Sequence, residues 1–123
     1  MADIKDITKD SFDKAVLQDQ NLLMVYYYAA WCKQCQEMEE VLEAIAVEVK
    51  DKMGVVRVNT DTEGEVVQQQ KIPTIPFYQV FQAGKSIESF RGKRSKLEML
   101  GQLSQIITES GSDAPRPMRP EKP

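Results

Sequence analysis

The sequence predicts an α/β domain: a central mixed five-stranded sheet flanked by four helices, in the order βαβαβαββα. Three observations carry this expectation. Leu22-Leu23-Met24-Val25-Tyr26-Tyr27-Tyr28-Ala29 is apolar or aromatic at every position, as a strand is when helices cover both its faces. Beyond it, Cys35, Met38, Val41/Leu42, Ile45/Ala46 and Val49 recur at helical spacing. The early alternation of strand and helix gives parallel strands, and a late hairpin adds an antiparallel edge.

The elements follow in order. Residues 4–7 read as a short first strand. Thr8, Asp10 and Ser11 are candidate N-caps for a helix with Phe12, Ala15, Val16 and Leu17 on its apolar side. Residues 18–21 are a polar connection. The tyrosines of the apolar strand read as core packing. The helix over residues 32–50 is about 28 Å long at ~1.5 Å per residue. Its other face carries Glu37, Glu39, Glu40, Glu43 and Glu48, read as a solvated surface. Met53-Gly54 ends it, residues 55–58 form a strand, and residues 59–62 a turn. Residues 63–70 form a short helix with Val66 and Val67 inward. Pro73 and Pro76 then interrupt regular structure.

Residues 77–82 and 86–91 pair as a hairpin about Ala83-Gly84. Ser95-Lys96-Leu97-Glu98 fits a capping box. It opens a last helix with Leu97, Leu100, Leu103, Ile106 and Ile107 inward, ended by Gly111. Residues 1–109 are expected to form one domain. Residues 110–123, with Pro115, Pro117, Pro120 and Pro123 among polar neighbours, are expected to be a disordered tail.

Composition excludes several chemistries. The chain has 123 residues, 41% of them hydrophobic, with a net charge of −3 and a pI of about 5.0. That balance gives no reason to expect a nucleic-acid partner. There is no histidine, which removes histidine bases and the commonest metal ligand. The first ten residues include Asp3, Lys5, Asp6, Lys9 and Asp10, so no signal peptide is expected. The longest apolar run, residues 22–32, is too short to cross a bilayer. A soluble, cytoplasmic, monomeric protein is expected, with no membrane partner.

Cys32 and Cys35 are the two cysteines, in Trp31-Cys32-Lys33-Gln34-Cys35. The motif stands where the buried strand gives way to the long helix. A helix N-terminus carries unpaired N–H groups and partial positive charge. A sulfur there is stabilised as thiolate, the form that attacks disulfides. Lys33 adds a full positive charge beside it. The reading is therefore thiol–disulfide exchange, with Cys32 attacking and Cys35 resolving the mixed disulfide. Two sulfurs alone cannot complete a tetrahedral zinc shell, so no metal or bound cofactor is expected.

This order, with Trp31-Cys32-x-x-Cys35 after the second strand, resembles the thioredoxin family. Further matches are Ala29, Ile75-Pro76, Phe81 with Gly84, and Gly92, so the likeness covers roughly residues 4–109. The resemblance implies a cis proline opposite the cysteines. Two prolines compete for that place. Pro73 as the cis residue would leave Pro76 inside a strand, where it removes a ladder donor; Pro76 also keeps the family's spacing to Gly84 and Gly92. The expected cis bond is Ile75–Pro76. The resemblance further implies that Trp31, Lys33, Gln34, Thr74, Ile75, Pro76, Gly92 and Lys93 line the site where a target protein's disulfide docks. Electrons would come from a reductase or a partner dithiol. The alternative is a protein-binding module of this fold with little or no redox turnover.

Three departures from the family stand out. Lys33-Gln34 replaces the usual Gly-Pro, which predicts a more oxidising couple. Tyr26 stands where the family has a buried aspartate thought to move the proton of the resolving cysteine. Water or Arg57 would then have to assist, or resolution would be slow, and Tyr26→Asp should quicken turnover while lowering stability. Finally, Arg91, Lys93, Arg94 and Lys96 crowd the start of the last helix, where positive charge is unfavourable. They read either as a basic rim for acidic targets or as a solvated loop.

Overall fold

The computed structural model describes residues 4–110. Strands β1 (Lys5–Asp6), β2 (Leu22–Tyr28), β3 (Gly54–Asn59), β4 (Phe77–Gln82) and β5 (Lys85–Arg91) form one sheet in the order β1-β3-β2-β4-β5. β2 runs parallel to β3 and antiparallel to β4, so the sheet is mixed, with β2 at its centre. The helices are α1 (Lys9–Phe12), α2 (Lys33–Val49), α3 (Gly64–Gln70) and α4 (Lys96–Ser110). α1 continues into a π-helical stretch over Asp13–Leu17. The expected α/β architecture is the one observed. Ser110, the first residue of the expected tail, is instead the last of α4; the rest of that tail and the Gly111 stop fall on residues 111–123, outside the described residues.

The pleat divides β2 between two cores. Leu22, Met24 and Tyr26 join residues of α2 and α4, with Tyr78, Val80 and Phe90. Leu23, Val25 and Tyr27 join Phe12, Val16, Val58, Val66 and Phe81 on the other side. This double burial is why the strand can be apolar at every position. On the second side Tyr27 donates its hydroxyl to Gln79 Oε1 at 2.6 Å, and Gln79 donates in turn to Gln70 and Ser86. The buried amide and phenol are thereby satisfied.

The β4–β5 turn places Ala83 at φ 52° and Gly84 at φ 79°, the left-handed pair of a two-residue hairpin. A Cβ on Gly84 would stand 2.1 Å from the Leu17 carbonyl oxygen, so space as well as backbone angle demands glycine. Ser95 and Glu98 close the expected capping box: Glu98 N–H donates to Ser95 Oγ at 3.1 Å, and Ser95 N–H to Glu98 Oε1 at 2.9 Å.

One inward assignment in α4 is corrected. Leu97 is 80% exposed, whereas Met99 is fully buried. The buried face runs through Met99, Leu103, Ile106 and Ile107. A residue two positions before Met99 lies about 200° round the helix from it.

Candidate active site

Cys32 is the N-cap of α2, in extended backbone conformation, and the Cys35 N–H donates to its sulfur at 3.1 Å. The first turn of α2 contains no acidic residue. The positive end of the helix is therefore not offset where the sulfur sits. Cys32 and Cys35 are joined as a disulfide with Cα atoms 5.2 Å apart. Cys32 is 6% exposed and Cys35 1%, so the N-cap sulfur is the more accessible of the two.

The neighbouring elements bring most of the sequence-predicted residues to this end of the sheet. Trp31 is 70% exposed, and its indole N–H donates to Asp61 Oδ1 at 3.1 Å. Lys33, Gln34 and Thr74 are exposed. The Ile75–Pro76 bond is cis, as the family resemblance implied. Ile75 packs against the cluster that contains both cysteines. Gly92, at φ 92°, donates its N–H to the Pro76 carbonyl at 2.9 Å. A Cβ at Gly92 would meet nothing within 4 Å, so the backbone angle alone asks for glycine there.

The basic cluster after β5 is largely engaged. Lys93 pairs with Glu37 and Lys96 with Glu48, each at 2.7 Å. The Arg94 guanidinium lies over the Phe90 ring at 4.9 Å. The crowding of cations at the α4 N-terminus is thus offset by the acidic face of α2, and that face is correspondingly less a purely solvated surface than the sequence suggested. Periodicity places residues on a face but does not say what stands across from it.

The Lys93 hydrogen bond and charge, with Lys33 adding, hold the Glu37 carboxyl below its ordinary value. A carboxyl whose pKa is lower folded than unfolded stabilises the fold above the unfolded value. That contribution disappears as pH falls through the lowered one. Glu37 is therefore expected to titrate below the usual glutamate range by carboxyl NMR, and to move back up in Lys93→Met. An unchanged titration would mean that the pair does not form in solution.

Tyr26 is fully buried, and its hydroxyl donates to the Cys35 carbonyl at 3.0 Å. Burial pushes its phenol far above the ordinary value, and Glu39 and Tyr78 add to the rise. A group so reluctant to ionise cannot take a proton from Cys35. Arg57 is held by Asp6 at 3.0 Å and Glu39 at 2.8 Å, with its guanidinium 5.0 Å over the Tyr28 ring. Two carboxylates offset its charge, which weakens it as an electrostatic aid to Cys35. Burial pushes the Glu39 carboxyl up against the pull of Arg57. Tyr28 is half-buried, and that burial together with its hydrogen bond to Asp6 pushes its phenol up to about 12.

Sequence reasoning passed over Tyr78 and read Glu39 only as part of a solvated face. Tyr78 lies directly opposite Tyr26 in the sheet and donates its hydroxyl to the Gly92 carbonyl at 3.1 Å. Glu39 follows Cys35 by four residues, one helical turn, a signal the acidic run around it obscured.

Among the described residues no helix is long and apolar enough to cross a membrane. The thioredoxin family model matches residues 3–105. The chain is 30% identical over 104 residues to a thioredoxin of Griffithsia pacifica, covering 85% of this chain and 95% of that one. It is 34% identical over 101 residues to the chloroplastic M-type thioredoxin of Chlamydomonas reinhardtii, covering 82% and 72%. It is 29% identical over 102 residues to the bifunctional thioredoxin reductase/thioredoxin of Mycobacterium leprae, covering 83% of this chain but 22% of the relative. With a matching model across most of its length and a cysteine pair at the start of its long helix, the chain belongs to the thioredoxin family.

Proposed function

We propose that this chain is a thiol–disulfide oxidoreductase that reduces or exchanges protein disulfides. The observation that carries the reading is the Cys32 sulfur at the uncompensated N-terminus of α2, with Cys35 one turn deeper and within bonding reach. The Cys32 thiolate attacks one sulfur of a target disulfide and expels the other as thiolate. Cys35 gives up its proton, attacks the Cys32 sulfur of the mixed disulfide, and releases the target as a dithiol. Trp31, Lys33, Gln34, Thr74, Ile75, Pro76, Gly92 and Lys93 receive the target segment, and a reductase or partner dithiol returns two electrons to the resulting disulfide. The exposed Trp31 and the open space beside Gly92 support that assignment.

The second reading, a binding module without turnover, draws on the buried neutral Tyr26 beside Cys35. Insulin reduction by dithiothreitol separates the two. Catalytic amounts of the protein are expected to bring forward the precipitation of insulin chains by several-fold over dithiothreitol alone. An unaltered lag would favour the module.

A further inference from the structure

Four side chains make a row across the sheet in register. Arg57 of β3 stands opposite Tyr26 of β2, Tyr26 opposite Tyr78 of β4, and Tyr78 opposite Phe90 of β5. The Tyr26 and Tyr78 rings stack with centroids 5.6 Å apart and planes 15° from parallel. Tyr78 and Phe90 stack at 4.9 Å, and Tyr28 also stacks with Tyr26 at 5.6 Å. Cations sit over both ends, Arg57 on Tyr28 at 5.0 Å and Arg94 on Phe90 at 4.9 Å. Stacked rings in a close-packed core have little freedom to shift.

The two hydroxyls of this row do not pair with each other. Tyr26 donates to the Cys35 carbonyl in the first turn of α2, and Tyr78 to the Gly92 carbonyl in the loop before α4. Gly92 is also the residue whose N–H reaches the Pro76 carbonyl. The stacked pair therefore ties together two separate pieces of backbone. One carries the resolving cysteine. The other carries the Pro76–Gly92 contact, where the proposed target segment docks.

We propose that Tyr26 and Tyr78 are positioning residues for disulfide exchange. Tyr26 holds the Cys35 backbone where its sulfur can meet Cys32, Tyr78 holds the Gly92 side of the target groove, and their stacking fixes the distance between the two. The inference rests on the exchange activity proposed above. Small misplacements of reacting groups are costly in rate, so each hydroxyl should affect a different step: Tyr26 resolution, Tyr78 target docking.

Tyr26→Phe and Tyr78→Phe keep the rings and remove one hydroxyl each. Stopped-flow reaction of the reduced protein with dithiobis-nitrobenzoate separates the steps. Cys32 displaces a first thionitrobenzoate anion; Cys35 then loses its proton to solvent, closes on Cys32 and displaces the second. Tyr26→Phe is expected to lower the ratio of second to first rate by about three- to tenfold, the worth of one net hydrogen bond. Tyr78→Phe is expected to raise KM for insulin by a similar factor, more than it changes either release. Kinetics equal to wild type in both variants would overturn the inference, as would a uniform loss of both rates that merely follows a fall in Tm. A wild-type chain that released no second thionitrobenzoate would overturn the exchange reading and the inference with it. An active wild type with unaffected variants would overturn the inference alone.

Discussion

Cys32→Ser is expected to abolish reduction of protein disulfides, by roughly a thousandfold or more. A serine hydroxyl at the same N-cap still accepts the Cys35 N–H, so α2 keeps its start and the fold should keep the stability of the reduced wild type within about 1 kcal/mol. What is lost is the sulfur that, as thiolate, attacks disulfides. Cys35→Ser should behave differently, because Cys32 can still attack. Turnover stops there after one step, with the protein trapped as a mixed disulfide that mass spectrometry detects as an adduct on Cys32. If Cys32→Ser retained activity in the insulin assay while Cys35→Ser lost it, the two sulfurs would have to exchange roles. The burial order, with Cys32 more exposed than Cys35, argues against such an exchange.

The largest expected effect on stability is that of Tyr26→Asp. Tyr26 is fully buried, stacked on Tyr28 and Tyr78, and hydrogen-bonded to Cys35. The substitution removes a ring from the centre of the sheet, which alone costs about 3–5 kcal/mol. It also places a carboxyl in the space left behind, adding a further desolvation cost. A total of about 4 kcal/mol or more corresponds to a fall in Tm on the order of 15–30 °C for a domain of this size. Urea unfolding followed by circular dichroism measures it. A loss below about 1 kcal/mol would show that the row closes over the vacancy and that Tyr26 is not its centre.

Much of the architecture was legible because it depends on patterns within a single segment. The unbroken apolar run of β2 announced a central strand, and the α2 periodicity identified Met38, Leu42 and Ile45 as core, which they are. Ala83-Gly84 announced the hairpin, and once the family resemblance implied a cis proline, the choice of Pro76 over Pro73 followed from what a proline does to a strand and from the family's spacing to Gly84 and Gly92. The cysteine pair was equally plain, since strand, motif and helix are contiguous. The parts that were not legible depend on which residue stands across from which. Nothing in residues 77–82 alone reveals that Tyr78 will lie against Tyr26; that requires the strand register. Nor does a run of glutamates reveal that Glu37, Glu39 and Glu48 will find Lys93, Arg57 and Lys96. Leu97 misled for the opposite reason: its chemistry suggested burial, but the helical phase set by Met99 and Leu103 turned it outward.

The aromatic row also bears on how this chain can be recombined with its relatives. Residues 26, 78 and 90 come from three strands, yet each supplies a neighbour's packing surface. A chimera that imported β4 with a small aliphatic side chain at position 78 would leave an unfilled gap between the donor and recipient segments, even if every hydrogen bond of the sheet survived. Segments of this chain are therefore modular in backbone but not in side-chain volume, and a workable exchange must carry all three positions together.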